Sequence, residues 1–179
     1  MIVIVSGGAG SGKSTVARAV AKKFKLRHVS AGDKMRQLAS ALGFKTSGAE
    51  FLEFHEYVKS HPAVDKKLDE LIMKDLRQGD CVVDSRLAAY LYKGRAYRIM
   101  LKVPDSVAAR RNALREGVSE SEALKSIIRR NREDALRYKK LYGIDVSDVS
   151  VYDFVLDTSP LSIEEMIAAV VSFLRKVLK

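Results

Sequence analysis

Nine residues near the start of the chain restrict its possible folds more than any other segment. Gly7 to Thr15 has the sequence GGAGSGKST, which matches the pattern G-x-x-x-x-G-K-[ST] at every fixed position. The apolar, β-branched run Ile2 to Val5 precedes it, and apolar residues at helical spacing follow it between Lys13 and Phe24. The sequence therefore predicts a buried strand, a glycine-rich turn and a helix, and in this context the pattern is specific.

A turn of this kind is typical of a loop that binds phosphate. Glycines let backbone N–H groups converge on an anion without Cβ clashes, and the helix N-terminus adds a favourable dipole. We expect a purine nucleoside triphosphate, ATP with Mg²⁺, with Lys13 reaching its β- and γ-phosphates and Ser14 ligating the metal. The residues predicted to hold the triphosphate are Gly7, Gly8, Ala9, Gly10, Ser11, Gly12, Lys13, Ser14 and Thr15.

Strands and helices alternate along the rest of the chain. Short apolar runs predict further strands at 26–29, 81–83, 97–103 and 154–156. Helices are predicted at 33–42, 62–77 and 104–116, and two more follow capping boxes at Ser119/Glu122 and Ser162/Glu165. This alternation favours an α/β protein with a three-layer α/β/α fold around a five-stranded parallel sheet, in a single domain spanning 1–179.

The composition limits the class of protein. A chain of 179 residues with 47% hydrophobic and 30% charged residues is typical of one soluble globular domain. Its net charge of +10 fits binding to nucleic acid, to an anionic membrane or to small polyanions, or simply a solvated charged surface. The single cysteine, Cys81, cannot form an internal disulfide, and no apolar run has the length of a signal peptide or a membrane span. We expect a cytoplasmic monomer without a membrane partner.

Polar residues follow two further predicted strands, at the edge of the sheet where parallel α/β proteins bind ligands. In Ser30-Ala31-Gly32-Asp33-Lys34-Met35-Arg36, the planar guanidinium of Arg36 suits bidentate capture of a phosphate, although a solvated position on a helix is the alternative. Asp84 is placed to hold Mg²⁺ through its waters, or else to cap a helix. Arg86 follows it closely enough to contact an acceptor phosphate.

A helix rich in arginine supplies a fourth set of candidates. Arg130, Asp134 and Arg137 are spaced i, i+4 and i+7, so they share one face. Asp134 can hold the two arginines in position, and they would then neutralise charge on a transferring phosphoryl group. A solvated basic face and an RNA-binding patch are the alternatives.

These segments together resemble archaeal-type cytidylate kinases, members of the nucleoside monophosphate kinase family. The resemblance extends over nearly the whole chain and includes Arg-Glu-Gly at 115–117, YKKLYGID at 138–145 and YDFVLDTS at 152–159. It implies ATP-dependent phosphorylation of CMP, with dCMP as a further acceptor, an acceptor-binding segment at 32–69 and a lid at 118–143. One position departs from the family pattern, because Ser85 stands where bacterial members have glycine in Asp-Gly-Arg.

The resemblance also implies roles for single residues. The catalytic set would be Lys13, Arg36, Arg86, Arg130 and Arg137, and the acceptor would be bound by Ala31, Arg36, Asp65, Arg86 and Asp134. Arg111 would pack on the adenine, Arg115 would reach phosphates, and the loop at Thr158 would border the base; an exposed basic helix is the alternative for the two arginines. Asp65 is the best carboxylate for reading the base, and a charge on a helix surface is an equal alternative for it.

Two other functions stay open at this point. The first is the same chemistry on another acceptor, such as UMP or AMP. The second is an RNA- or ribosome-associated factor that keeps a nucleotide-binding core. The basic residues lack the interleaved aromatic side chains that single-strand binding uses, so we expect no specific nucleic-acid partner.

Overall fold

The computed structural model describes residues 1–46 and 48–178, with side chains described at all of these except 48–52. Within them, five strands form one parallel sheet in the order β2-β3-β1-β4-β5. The strands are β1 Ile2–Gly7, β2 Arg27–Ser30, β3 Cys81–Asp84, β4 Tyr97–Lys102 and β5 Phe154–Asp157. Since β1 is central and Val5 pairs with Asp84 of β3, the predicted phosphate loop and Asp84 lie at the same edge of the sheet.

Eight helices connect and cover the strands in the described part of the chain. They are α1 Lys13–Phe24, α2 Ala31–Ala41, α3 Gly48–Ser60, α4 Pro62–Arg77, α5 Ala88–Leu91, α6 Asp105–Glu116, α7 Glu120–Tyr142 and α8 Ile163–Val177. None of the described helices is both long enough and apolar enough to cross a lipid bilayer.

Helices cover both faces of the sheet. One face packs against α1 and α8, and its core includes Val3, Val5, Val16, Val20, Val82, Ile99, Leu101, Val170 and Leu174. The other face packs against α2, α3, α4 and α5, and its core includes Ile4, Val29, Met35, Phe54, Ile72, Leu76 and Val83. Neighbouring residues of β1 alternate between the two cores, as side chains of a strand buried on both faces must. The predicted three-layer α/β/α fold is confirmed.

A third apolar cluster joins helices α6 and α7 to the predicted phosphate loop. It is built mainly from alanines: Ala9, Ala108, Ala109, Ala113, Ala123 and Ile127. Small side chains allow helices to approach closely, so the tip of the loop at Ala9 packs directly between the two helices. The loop and the arginine-rich helix α7 therefore share one packing unit.

Most predicted elements are confirmed within three residues at their ends. The capping boxes at Ser119/Glu122 and Ser162/Glu165 both form and begin α7 and α8. Two helices lie outside the predictions. Helix α5 has only four residues, too few to show a period. Helix α3 begins at a glycine, and of its described side chains only Phe54 and Val58 are fully buried, so its apolar stripe is too narrow to stand out.

Candidate active site

The backbone of the phosphate loop is shaped by close contacts that only glycine allows. Gly7 has φ 153°, and a Cβ there would lie 2.6 Å from the carbonyl oxygen of Leu101. Gly10 has φ 73°, and a Cβ there would lie 2.8 Å from the Cβ of Ala108. The loop is thus pressed between β4 and α6, which fixes its path before any ligand binds.

Lys13, the first residue of α1, extends back across the loop. Its Nζ donates a hydrogen bond to the carbonyl oxygen of Gly8 at 3.2 Å. Burial, together with the positive charges of Arg86 and Arg130, lowers the pKa of Lys13 to about 7. Three cations converge here, so an anion is the natural complement of the site.

A row of alternating charges runs from the end of β3 to helix α4. Asp134 pairs through Oδ2 with Arg86 and through Oδ1 with Nη2 of Arg137 at 2.8 Å. Arg137 in turn places its Nε 3.3 Å from Oδ2 of Asp65. We call Arg86, Asp134, Arg137 and Asp65 the charge chain. All four side chains are less than 20% exposed, so each charge depends on its neighbours for compensation.

Asp134 holds a different pair of arginines from the predicted one. The predicted partners are Arg130 and Arg137, whereas the structure pairs it with Arg86 and Arg137. Side chains of a helix lean towards its N-terminus, so Arg137 leans back over Asp134 while Arg130 leans away from it. Arg130 nevertheless belongs to the site electrostatically, because its charge, after burial and the charge of Arg86, lowers the pKa of Lys13.

Asp84 is held by two side chains of strand β2. His28 Nε2 lies 2.8 Å from Oδ2 of Asp84, and the Ser30 hydroxyl donates to Oδ1 at 3.2 Å. The same Ser30 hydroxyl accepts the N–H of Asp33 at 3.3 Å and so caps helix α2. Asp84 is therefore tied to the start of the predicted acceptor segment. His28 has no sequence signal of its own, because its role depends on the pairing of β2 with β3.

The alternative in which Asp84 caps a helix is wrong. Helix α5 is preceded by Leu87, and its free N–H groups at Leu87 and Ala88 are accepted by the hydroxyl of Ser85 at 3.3 and 3.2 Å. The family glycine at this position is not needed for conformation, since Ser85 has no positive φ. Serine instead supplies a cap that glycine cannot.

Arg36 and Ala31 lie on helix α2, where Ala31 is the first residue. The side chain of Arg36 is 47% exposed and pairs with Asp33 on its own helix. The structure therefore does not join Arg36 to Lys13 or to the charge chain. Residue 47 and the side chains of 48–52, which belong to the predicted acceptor segment, lie outside the described residues.

Asp65 is buried in helix α4, with 4% of its surface exposed, so the alternative of a surface charge is wrong. Burial raises the pKa of Asp65 despite the charge of Arg137. One turn later, burial raises the pKa of Asp69 to about 6, although Tyr142 donates a hydrogen bond to it. Two carboxyls of α4 thus face helix α7. Whether Asp65 reads a base stays a prediction.

Arg111 and the loop at Thr158, which are both predicted to contact the adenine, are in contact with each other. Arg111 of α6 donates from Nη1 to Oγ1 of Thr158 at 3.2 Å and from Nη2 to its carbonyl oxygen at 2.5 Å. Thr158 is fully buried and also bonds to the carbonyl of Lys102. Arg115 lies elsewhere: its side chain is exposed and pairs with Glu116. That Arg115 reaches phosphates stays a prediction.

A cavity of about 140 Å³ lies beside the phosphate loop. Its lining includes Gly7, Gly8, Arg86, Asn131, Asp134, Tyr138 and Tyr152. A larger open groove of about 670 Å³ lies between α1 and α8. Its lining contains none of the predicted site residues, so we place the active site at the smaller, charged cavity.

The chain is similar to known proteins over most of its length. The model of the cytidylate kinase-like family matches residues 2–160. The cytidylate kinase of Pyrobaculum aerophilum is 39% identical over 168 residues, which cover 93% of this chain and 89% of the relative. That of Pyrococcus horikoshii is 38% identical over 170 residues, covering 95% of this chain and 86% of the relative.

Solved structures extend the comparison to the fold alone. A shikimate kinase from Bacteroides thetaiotaomicron superposes with a TM-score of 0.60 at 18% identity, covering 99% of this chain and 98% of the other. An uncharacterized protein from Eubacterium ventriosum gives 0.72 at 14% identity, covering 97% of each chain. Both the family model and the curated relatives span most of the chain, which confirms the predicted resemblance: this protein belongs to the cytidylate kinase-like family.

Proposed function

We propose that this protein transfers the γ-phosphoryl group of ATP to CMP. The observation that carries the proposal is the meeting of two parts of the site at one cavity: the phosphate loop, where Lys13 bonds to Gly8, and Arg86, which is anchored through Asp134 to helix α7. Cations gathered from three elements suit a reaction in which negative charge is spread over a transferring phosphoryl group. The curated relatives, which are cytidylate kinases, favour CMP as the acceptor.

The chain's own residues supply positioning and charge neutralisation. The loop binds the triphosphate through backbone N–H groups and Lys13, while Arg86, Arg130 and Arg137 approach from the other side. The acceptor phosphate is already an anion, so no side chain has to act as a base. Helix α7, within the proposed lid at 118–143, would exclude water that competes as acceptor.

Mg²⁺ would be held by few protein atoms. No cluster of three or more His, Cys, Asp or Glu side chains that could bind a metal occurs among the described residues. Ser14, in the first turn of α1, and Asp84, the last residue of β3, offer oxygen donors. Mg²⁺ typically takes one or two protein oxygens and completes its shell with phosphates and water. The bound metal would neutralise phosphate charge. The donor set therefore fits Mg²⁺ bound together with ATP.

The acceptor nucleotide would bind between helices α2 and α4, in the segment 32–69. Arg36 would reach the α-phosphate of the acceptor by exchanging its carboxylate partner, Asp33, for the phosphate. Carboxylate and phosphate can each accept two hydrogen bonds from one guanidinium group. Asp65 and Asp69 lie on α4 and contact helix α7. The base would be read there, next to the charge chain.

The acceptor is tested with a panel of monophosphates. We expect kcat/KM for CMP to exceed that for UMP and AMP by at least about tenfold, because buried polar groups discriminate strongly between exocyclic donors and acceptors. Coupled measurement of diphosphate formation with CMP, dCMP, UMP and AMP gives the order directly. A preference for UMP or AMP would overturn the choice of acceptor, and salt-sensitive RNA binding without transfer to any monophosphate would overturn the proposed reaction.

Binding of MgATP should take up a proton above neutral pH. With a pKa of about 7, Lys13 is mostly neutral at pH 8 in the free protein and should become charged beside the triphosphate. Proton uptake should therefore approach one per ATP at pH 8 and fall towards zero at pH 6. Above pH 7, affinity should drop towards tenfold per pH unit.

Calorimetry in buffers of different ionisation enthalpy measures this uptake. The matched control is Lys13→Gln, which should bind MgATP more weakly and without proton uptake. An affinity and a binding heat that stay independent of pH and buffer in the natural protein would contradict the prediction.

A further inference from the structure

Asn131 connects three parts of the active site. It lies on helix α7, and its Oδ1 accepts the backbone N–H of Ala9 in the phosphate loop at 3.3 Å. Its Nδ2 donates to Oδ1 of Asp105, the first residue of helix α6, at 2.9 Å. We propose that Asn131 is the positioning residue that couples helix α7 to the phosphate loop, an inference that rests on the proposed phosphoryl transfer.

The partners of Asn131 fix the orientation of its amide. A backbone N–H can only donate and an ionised carboxylate can only accept, so Ala9 requires the oxygen and Asp105 requires the nitrogen. An amide offers both groups, on two separate atoms of one short side chain. Aspartate would have the same shape but would place a second carboxylate against Asp105. Alanine would leave both partners unmet at a partly buried junction.

The junction is packed as well as hydrogen-bonded. Gly8 lies directly beneath Asn131, and even a Cβ at Gly8 would contact the amide at 3.6 Å. One turn earlier on α7, Ile127 packs with Ala9 and Ala108 in the alanine cluster. Asn131 therefore sits where loop, α6 and α7 meet, and a displacement of α7 must break its contact with Ala9.

The position of Asn131 on α7 determines what it aligns. Asp134 follows it by three residues and Tyr138 by seven, so all three share the face that lines the cavity beside the loop. Asp134 in turn holds Arg86 and Arg137. Anchoring Asn131 to Ala9 thus sets how far these guanidinium groups lie from phosphates bound at the loop.

Loss of this anchor should affect the reaction more than ATP binding. The loop keeps Lys13 and its own backbone N–H groups, so the triphosphate still binds. Helix α7 would rest less closely on the loop, so the arginines would be displaced and water would enter. We expect slower transfer to CMP and a larger fraction of ATP hydrolysed instead of transferred.

Four variants test the proposal: Asn131→Ala, Asn131→Asp, Asp105→Asn and the double variant Asn131→Asp with Asp105→Asn. The double variant reverses donor and acceptor, so that residue 105 donates while residue 131 still accepts from Ala9. Asn131→Ala and Asn131→Asp should each lower kcat for CMP at least about tenfold. In these two single variants the KM for ATP should change less than about threefold. The double variant should recover at least half of the lost kcat, measured on a logarithmic scale.

Ser126→Ala, an exposed change on the same helix, is the matched control and should behave as the natural protein. Transfer by Asn131→Ala within twofold of the natural rate would overturn the proposal. So would a double variant no better than Asn131→Asp, or a loss of activity that only follows the loss of folded protein measured by circular dichroism.

Hydrogen exchange gives a readout that needs no acceptor. A non-hydrolysable ATP analogue should slow amide exchange across residues 126–138 of α7 in the natural protein. In Asn131→Ala the bound analogue should protect the loop without protecting α7. Equal protection of α7 in both proteins would overturn the inference. If the natural protein transferred phosphate to no monophosphate yet showed this coupling, the proposed function would fail while the role of Asn131 would stand.

Discussion

Replacing Lys13 with alanine should lower kcat/KM for phosphoryl transfer by at least about a hundredfold, the usual effect of removing one charge-stabilising donor from a reacting group. Lys13 is the cation of the loop itself, and it is already oriented by its bond to Gly8. The bound triphosphate would lose its point charge at the β- and γ-phosphates. Initial rates with saturating CMP over a range of ATP concentrations measure the effect.

The same change should leave thermal stability unchanged or slightly higher. Lys13 has a folded-state pKa near 7, below its value of 10.5 in a model peptide, so the unfolded chain binds the proton more tightly. Between these values, Lys13 makes the free energy of unfolding rise with pH, and at pH 7 its charge opposes folding. Lys13→Ala removes that opposition.

Lys22→Ala is the matched control for Lys13, because Lys22 is an exposed lysine on the same helix. It should change neither rate nor midpoint of unfolding appreciably. A Lys13→Ala protein that melts early and loses activity in proportion would contradict the prediction, since the lysine would then be a structural residue.

The apolar pattern of the sequence predicts an element well wherever that element is buried on one side or on both. The run Ile2 to Val5 is β-branched and apolar because both of its faces are covered, and this identifies the central strand. Helices α7 and α8 are marked by their capping boxes. Helix α5 cannot be predicted in this way because its position is set by the hydroxyl of Ser85 and not by a repeated apolar face.

The site residues can be predicted from the sequence where they belong to a local motif, and not where they meet through long-range contacts. The phosphate loop is a local motif, so sequence spacing alone locates Lys13 and Ser14. The partners of Asp134 are not local: Arg86 comes 48 residues earlier, and its pairing depends on how α7 packs over the end of β3. His28 and Asn131 escape sequence reasoning for the same reason, because their side chains acquire a role only when β2 meets β3 and α7 meets the loop.

Replacing Asp134 with alanine should damage stability and activity together. The carboxylate compensates Arg86 on one side and Arg137 on the other, and all three side chains are largely buried. Its removal would leave Lys13, Arg86 and Arg137 with too little negative charge nearby. We expect a loss of about 3 kcal/mol in the free energy of unfolding, the lower end for breaking a buried ion pair, and a fall in kcat/KM of at least about a hundredfold.

Arg130→Ala is the informative comparison for Asp134→Ala. Arg130 lies on the same helix but its side chain is exposed and makes no ion pair with a described residue. It should lower turnover strongly and leave denaturant unfolding almost unchanged. Similar unfolding curves for the two variants would contradict the charge chain as a structural element.

Asp134→Asn separates charge from shape. Asparagine keeps the size of the side chain but removes the negative charge. In the natural protein, the negative charge of Asp134 raises the pKa of Lys13. Without that charge the pKa of Lys13 should fall below 7, and the pH at which ATP affinity begins to decline should move down with it. A downward shift of this midpoint would link the charge chain to the phosphate loop electrostatically, whereas an unchanged midpoint would confine Asp134 to holding the two arginines.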